Sequence, residues 1–122
     1  MNYDNTLLPS AIRSATQSLD MINTDAVGVL VTLDITAVPG TQTVLLKIRA
    51  RDIASGKYVD VLADTAQVGT GTRTLLCYPG GATAPAAVNG YVAIPLPRSW
   101  NVQVVHSGAG NFTYSVGFQM LG

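Results

Sequence analysis

The chain has no glutamate, one cysteine, one histidine and one tryptophan, and only 11% of its 122 residues are charged. Each shortage excludes something. A lone thiol, Cys77, excludes an intramolecular disulfide and any zinc site built on cysteines. A lone imidazole, His106, leaves one base for nucleophilic catalysis, and no nucleophile motif surrounds it beyond the adjoining Ser107. Seven basic residues balance seven aspartates, so the basic excess that nucleic acid or an anionic membrane demands is missing. No apolar run approaches the roughly 20 residues of a membrane-spanning helix. Met1–Ser10 has neither the positive start nor the apolar stretch of a secretory signal. These shortages give an expectation of no enzyme, no cofactor, no metal, no nucleic acid and no membrane.

What is present favours strands. All the acids are aspartate, a poor helix former, and thirteen threonines and fourteen valines favour extended backbone. In Val27–Ile35 the odd positions are apolar and the even ones mostly polar or small. Val44, Leu46, Ile48 and Ala50 form one face of a second strand, with Lys47, Arg49 and Arg51 on the other. Tyr58–Ala63, Thr65–Val68, Thr72–Tyr78 and Tyr91–Ile94 read as further short strands, the last ended by Pro95 and Pro97. Trp100–His106 and Phe112–Met120 alternate most cleanly, around the turn Ser107–Asn111. Pro39-Gly40, Ala54–Lys57, Gly69–Gly71 and Pro79–Gly81 supply turns. The spacing predicts an all-β antiparallel sandwich of about eight strands, jelly-roll or immunoglobulin-like. Residues 11–122 form the single domain and Met1–Ser10 an extended arm, with the first strand over Ala11–Ser18. Pro79–Asn89, rich in Ala, Gly and Pro, reads as a long loop.

The chemistry-bearing residues have modest roles in this reading. His106 falls at a strand end on the apolar face begun by Trp100 and is expected to be partly buried or hydrogen-bonded. Cys77 is expected to be a buried structural thiol. Asp20 and Asp25 lack the dense Asp/Asn/Gly spacing of a calcium loop and suit local turn bonds. Gly69-Thr70-Gly71 lacks the lysine and helix of a phosphate loop. Lys47, Arg49 and Arg51, about 7 Å apart along one strand face, suit either a solvated face or a contact: an acidic partner surface, or an inter-subunit pair to Asp60 or Asp64. The aromatics mostly fall on apolar faces, which favours core packing over a sugar platform.

The runs Val31–Thr41, Lys47–Tyr58, Leu96–His106 and Phe112–Gly117 resemble a family of small structural proteins of tailed bacteriophages. The resemblance covers about Asp25 to Leu121 and rests on turn and core signatures. It implies a small all-β virion protein assembled in the bacterial cytoplasm. Its members include decoration, or cement, proteins that sit as trimers on the capsid and tie major capsid subunits together; others belong to the neck or tail. The partners this implies are further copies of the chain, as a homotrimer, and the major capsid protein. The arm Asn2–Leu8 and the loop Pro79–Asn89 are expected to reach onto adjacent capsid subunits. Candidate contact residues are Asn2, Tyr3, Leu7, Leu8, Lys47, Arg49, Arg51, Pro79 and Pro85. A carbohydrate-binding module, using an exposed tyrosine such as Tyr91, is the alternative outside the virion.

Overall fold

Nine stretches of the chain become strands in the computed structural model, which describes residues 3–80 and 88–122, with residues 3–5 described by their backbone alone. They are β1 (Tyr3–Arg13), β2 (Gln17–Ile22), β3 (Gly28–Ala37), β4 (Val44–Arg51), β5 (Tyr58–Ala63), β6 (Gly71–Cys77), β7 (Gly90–Val92), β8 (Ser99–His106) and β9 (Phe112–Leu121). Two sheets result, ordered β1-β9-β3-β6-β7 and β2-β8-β4-β5. The protein is an all-β sandwich, as the spacing predicts.

The pairing decides between the two expected topologies. β1 pairs with β9, β2 with β8, β3 with β6 and β4 with β5, all antiparallel, so the pairs are nested one inside the next. This nesting, split over two four-stranded layers, is the jelly roll. β7 is an addition to it, three residues that pair in parallel with β6 at the sheet edge. The sequence reading expected an antiparallel partner there. The chain instead leaves β6 at Cys77 and returns to run beside it in the same direction.

The alternating apolar positions meet between the layers. Val29, Val31, Leu33 and Ile35 of β3 face Val44, Leu46 and Ile48 of β4 and Trp100, Val102 and Val104 of β8, all at 2% exposure or less. Trp100 meets Phe118 of the opposite sheet edge-on, with centroids 5.9 Å apart. At the level of Gly28 the packing is tight enough that an added Cβ would run into the Cys77 carbonyl oxygen, so only glycine fits.

Crossings between sheets leave polar groups at the sandwich rim, and at several of them particular side chains satisfy these groups. After β2, Asn23 accepts from the Ala26 amide at 2.9 Å and donates to the Ala26 and Leu96 carbonyls at 2.8 and 3.2 Å. After β5, the Asp64 carboxylate takes two hydrogen bonds from the Arg73 guanidinium, at 2.7 and 2.8 Å. The Asp64 side chain is only 2% exposed. After β3, Gln42 accepts from the Gly110 amide and so ties that turn to the β8–β9 turn.

The N-terminal segment departs most from expectation. It is extended, but from Tyr3 onward it is laid against β9, from Tyr3 beside Met120 to Arg13 beside Phe112. Leu8 is buried at 8% exposure. Irregularities between Thr6 and Leu8 and between Leu8 and Ala11 shift the alternation twice, which hides the strand from a period-two reading. The strand expected over Ala11–Ser18 is broken at Ser14–Thr16, where the chain passes from β1 to β2. Thr65–Val68 forms no strand; Gln67 alone bridges to Val44.

Two outcomes follow from this packing. Asp64→Ala strands the Arg73 guanidinium at the rim of the core and is expected to cost about 3 kcal/mol in urea unfolding. Deleting residues 1–10 removes the Leu8 side chain and uncovers β9, so the shortened protein should melt well below the full chain; an unchanged melting temperature would refute the β1–β9 pairing.

Candidate interaction surface

Alternation that buries one face of each strand leaves two outward faces, and their chemistry differs sharply. On the four-stranded sheet, the register sets Asp20 beside Asn101, Asn101 beside Arg49 and Arg49 beside Asp60. The neighbouring row places Arg51 beside Tyr58.

These side chains form one network. Tyr58 donates from its hydroxyl to both Asp20 oxygens, at 2.7 and 2.9 Å. Asn101, fully buried, donates to Asp20 Oδ1 at 2.9 Å and to Ser18 Oγ at 3.0 Å. Arg49 donates from Nε to Asn101 Oδ1 at 3.0 Å and from Nη2 to Ser18 Oγ at 3.1 Å. Its guanidinium carbon lies 4.1 Å from the Tyr58 ring centroid, a cation–π stack. Arg51 lies 3.7 Å from Asp20 and 5.9 Å from the same ring. Donation from Tyr58 and Asn101, followed by the two arginine charges, holds the Asp20 carboxyl below its usual range; the same bond raises the Tyr58 hydroxyl. Lys47 pairs with Asp60 of the same chain at 3.1 Å.

The basic stripe is thus committed within the chain. Asp60, considered as an inter-subunit partner, serves Lys47, and Asp64 serves Arg73. Asp20, expected to bond locally in a turn, bonds across three strands instead; Asn23 makes the turn bonds. Nothing local in the sequence signals this, since Asp20, Tyr58 and Asn101 lie tens of residues apart.

The outward face of the five-stranded sheet is different. Its rows are Leu30 with Gln119 and Leu76, Thr32 with Gly117 and Thr74, and Asp34 with Ser115 and Thr72. Ile12, beside Thr113, is 70% exposed. Among these side chains Asp34 is the one charge.

The other candidate contact residues do not converge. Asn2 and Pro85 lie outside the described residues. Tyr3 begins β1 beside Met120. Leu7 is half-buried against the core, and Leu8 belongs to the core, so its side chain is not free for a partner. Pro79, half-buried, follows β6. Of the loop Pro79–Asn89, residues 81–87 are outside the described set. Tyr91 is not a free ring edge; its hydroxyl donates to the Tyr78 carbonyl at 3.3 Å and to the Gly80 carbonyl.

His106 and Cys77 sit where the sequence places them. His106 Nε2 is 2.7 Å from the Tyr114 hydroxyl, across the two sheets, and its ring meets Phe112 edge-on. Ser107 turns away, accepting from the Thr43 amide at 2.8 Å. Burial lowers the His106 pKa and raises that of Tyr114 to about 12, an effect that the nearby Arg13 charge opposes. Cys77 is fully buried, 3.5 Å from the Ile94 carbonyl, and burial raises its thiol from 9.0 to about 11. Among the described residues no group of three His, Cys or Asp side chains is close enough to hold a metal ion. No protein-family profile matches the chain, and no curated protein matches it.

These shifts bracket a pH window. A depressed histidine means that the unfolded chain binds the extra proton, so stability falls as pH drops below 6.5. A raised thiol and phenol mean that the folded chain keeps its protons longer. Stability should then fall as pH rises from 9 towards 11, and further towards 12. Melting temperature against pH should show a plateau between these limbs, and Cys77→Val should soften the alkaline limb. Loss of stability starting at neutral pH would contradict the burial of both groups.

Proposed function

We propose that this chain is a non-enzymatic structural protein of a tailed-phage virion, a decoration protein that binds the outer capsid surface as a trimer and stabilises contacts between major capsid subunits. The observation that carries the reading is the outward face of the five-stranded sheet. Among the described side chains of its three rows this surface carries Thr, Ser, Gln and Leu, with Asp34 as the one charge, and it costs little to desolvate because few charges lose water. The opposite face, where arginines and aspartates neutralise one another, suits the solvent side. The jelly roll adds an analogy of fold, since this architecture recurs in viral capsid domains as well as in lectins. The resemblance of four sequence runs to phage structural proteins supplies the biological setting. On a symmetric lattice many weak contacts of one kind sum by multivalency, so no single contact needs to be strong.

In this reading the protein has a mass of about three chains in solution and co-sediments with undecorated capsids of the phage that encodes it. Thr32→Arg, which sets an unpaired charge in the middle of the neutral face, should abolish co-sedimentation and leave the melting temperature unchanged. Lys47→Ala on the opposite face should bind like the parent. Capsid binding that survives Thr32→Arg and fails in Lys47→Ala would reverse the assignment of faces; a closed ring of six or twelve chains would favour a neck or tail position.

A further inference from the structure

A sandwich exposes four edge strands, here β1 and β7 in one sheet and β2 and β5 in the other. An open edge presents unpaired backbone donors and acceptors to any other strand, and proteins blunt such edges with prolines, bulges, charges or brevity. β1 carries Pro9 and two irregularities between Thr6 and Ala11. β7 is three residues long, and Pro95 and Pro97 follow it. β5 is irregular opposite Ile48 and Arg49, and its side of the sandwich is closed where Leu62 comes within 3.4 Å of a Cβ built on Gly90.

β2 has no proline, no bulge and no basic residue; its one charge, Asp20, is already held by Tyr58, Asn101 and Arg51 on the outward face. Gln17–Ile22 pairs with β8 one-to-one over all six residues, without a shift. Among the described residues no hydrogen bond outside the β2–β8 ladder ends on the β2 backbone, so its outer groups have no partner there.

We propose that this edge pairs with the same edge of a second copy, antiparallel about a two-fold axis at Leu19, joining the two four-stranded sheets into one of eight strands. The register follows from side-chain chemistry. Keeping core-facing residues on one side allows the axis to pass through a residue but not between residues. An axis at Asp20 would set two aspartates directly opposite one another, which is unfavourable. An axis at Leu19 sets Leu19 against Leu19, Gln17 against Met21 and Ser18 against Asp20. That last pair is complementary. Ser18 Oγ already accepts from Arg49 and Asn101, so its own proton has no acceptor among the described residues. The Asp20 carboxylate of the second copy supplies one. The same register lays Ile22, 59% exposed, beside Thr16 of the second copy. Zero net charge means that no long-range repulsion opposes the approach.

The test is disulfide trapping. Opposed residues in an antiparallel pair lie within disulfide reach, and the native Cys77 is fully buried. Under mild oxidation Leu19→Cys should give a two-chain band on a non-reducing gel at least about tenfold faster than Ile12→Cys, an exposed site on blunted β1. In sedimentation equilibrium Gln17→Lys, which points a charge inward at the edge, should weaken association about tenfold without lowering the melting temperature. Equal oxidation rates for the Leu19→Cys and Ile12→Cys chains, or unchanged association of Gln17→Lys, would overturn the pairing. The edge pair rests on the strand edges alone and concerns contacts between trimers, so at the higher concentrations of sedimentation equilibrium three chains should become six: a capsid-binding trimer whose Leu19→Cys variant is not trapped sinks it and leaves the decoration reading intact, and trapping without capsid binding does the reverse.

Discussion

Almost everything in this molecule depends on moving the chain from one sheet to the other. Six of the eight connections between successive strands change layer, and each change lifts backbone out of one ladder before it can join the next. Buried or half-buried polar groups at such corners must be satisfied locally. At four of the six corners a single well-placed group or pair meets that need. Asn23 serves the β2–β3 corner, Gln42 joins two turns at one end, and the Asp64–Arg73 pair binds the β5–β6 crossing. The His106–Tyr114 contact sits beside the β8–β9 turn. The core between the layers supplies the driving force; these few side chains hold the layers in one relative position.

The same scarcity of charge explains the two faces. The charges of the four-stranded sheet are tied together, where Arg49, stacked on Tyr58, links Asn101 and Ser18 into a network that also holds Asp20. Such a network orders its own side chains before any partner arrives, so little rotamer freedom remains to be lost there. On the five-stranded sheet the short hydroxyl and glycine side chains have little freedom to lose in the first place.

The core is readable from the sequence because burial follows a period of two. Val29 to Ile35, Val44 to Ile48 and Trp100 to Val104 stand inward as their spacing requires. What escapes reading is non-local or irregular. β1 is masked by its two shifts around Leu8, and β7, read as a strand from Tyr91, gives no local sign of its parallel pairing with β6. The choice of jelly roll needs the nested pairing, which no local pattern encodes. The surface network is equally hidden: Asp20, Tyr58 and Asn101 are ordinary residues until three strands bring them together. Cys77 and His106 are legible because each is unique in the chain and lies in a clean alternation.

Nested pairing also dictates an order of events. The outermost pair joins Tyr3 to Met120, almost the full span of the chain, so the first strand synthesised cannot find its partner until the last one emerges. During translation β1 must wait, while the inner pairs β4–β5 and β3–β6 close over much shorter loops. Late closure leaves the flank of β3 without its neighbour until β9 emerges, a flank with alternate residues as apolar as Val29 and Val31. The irregularities and proline that hide β1 from a sequence reader also make the waiting strand a poor template for another nascent chain.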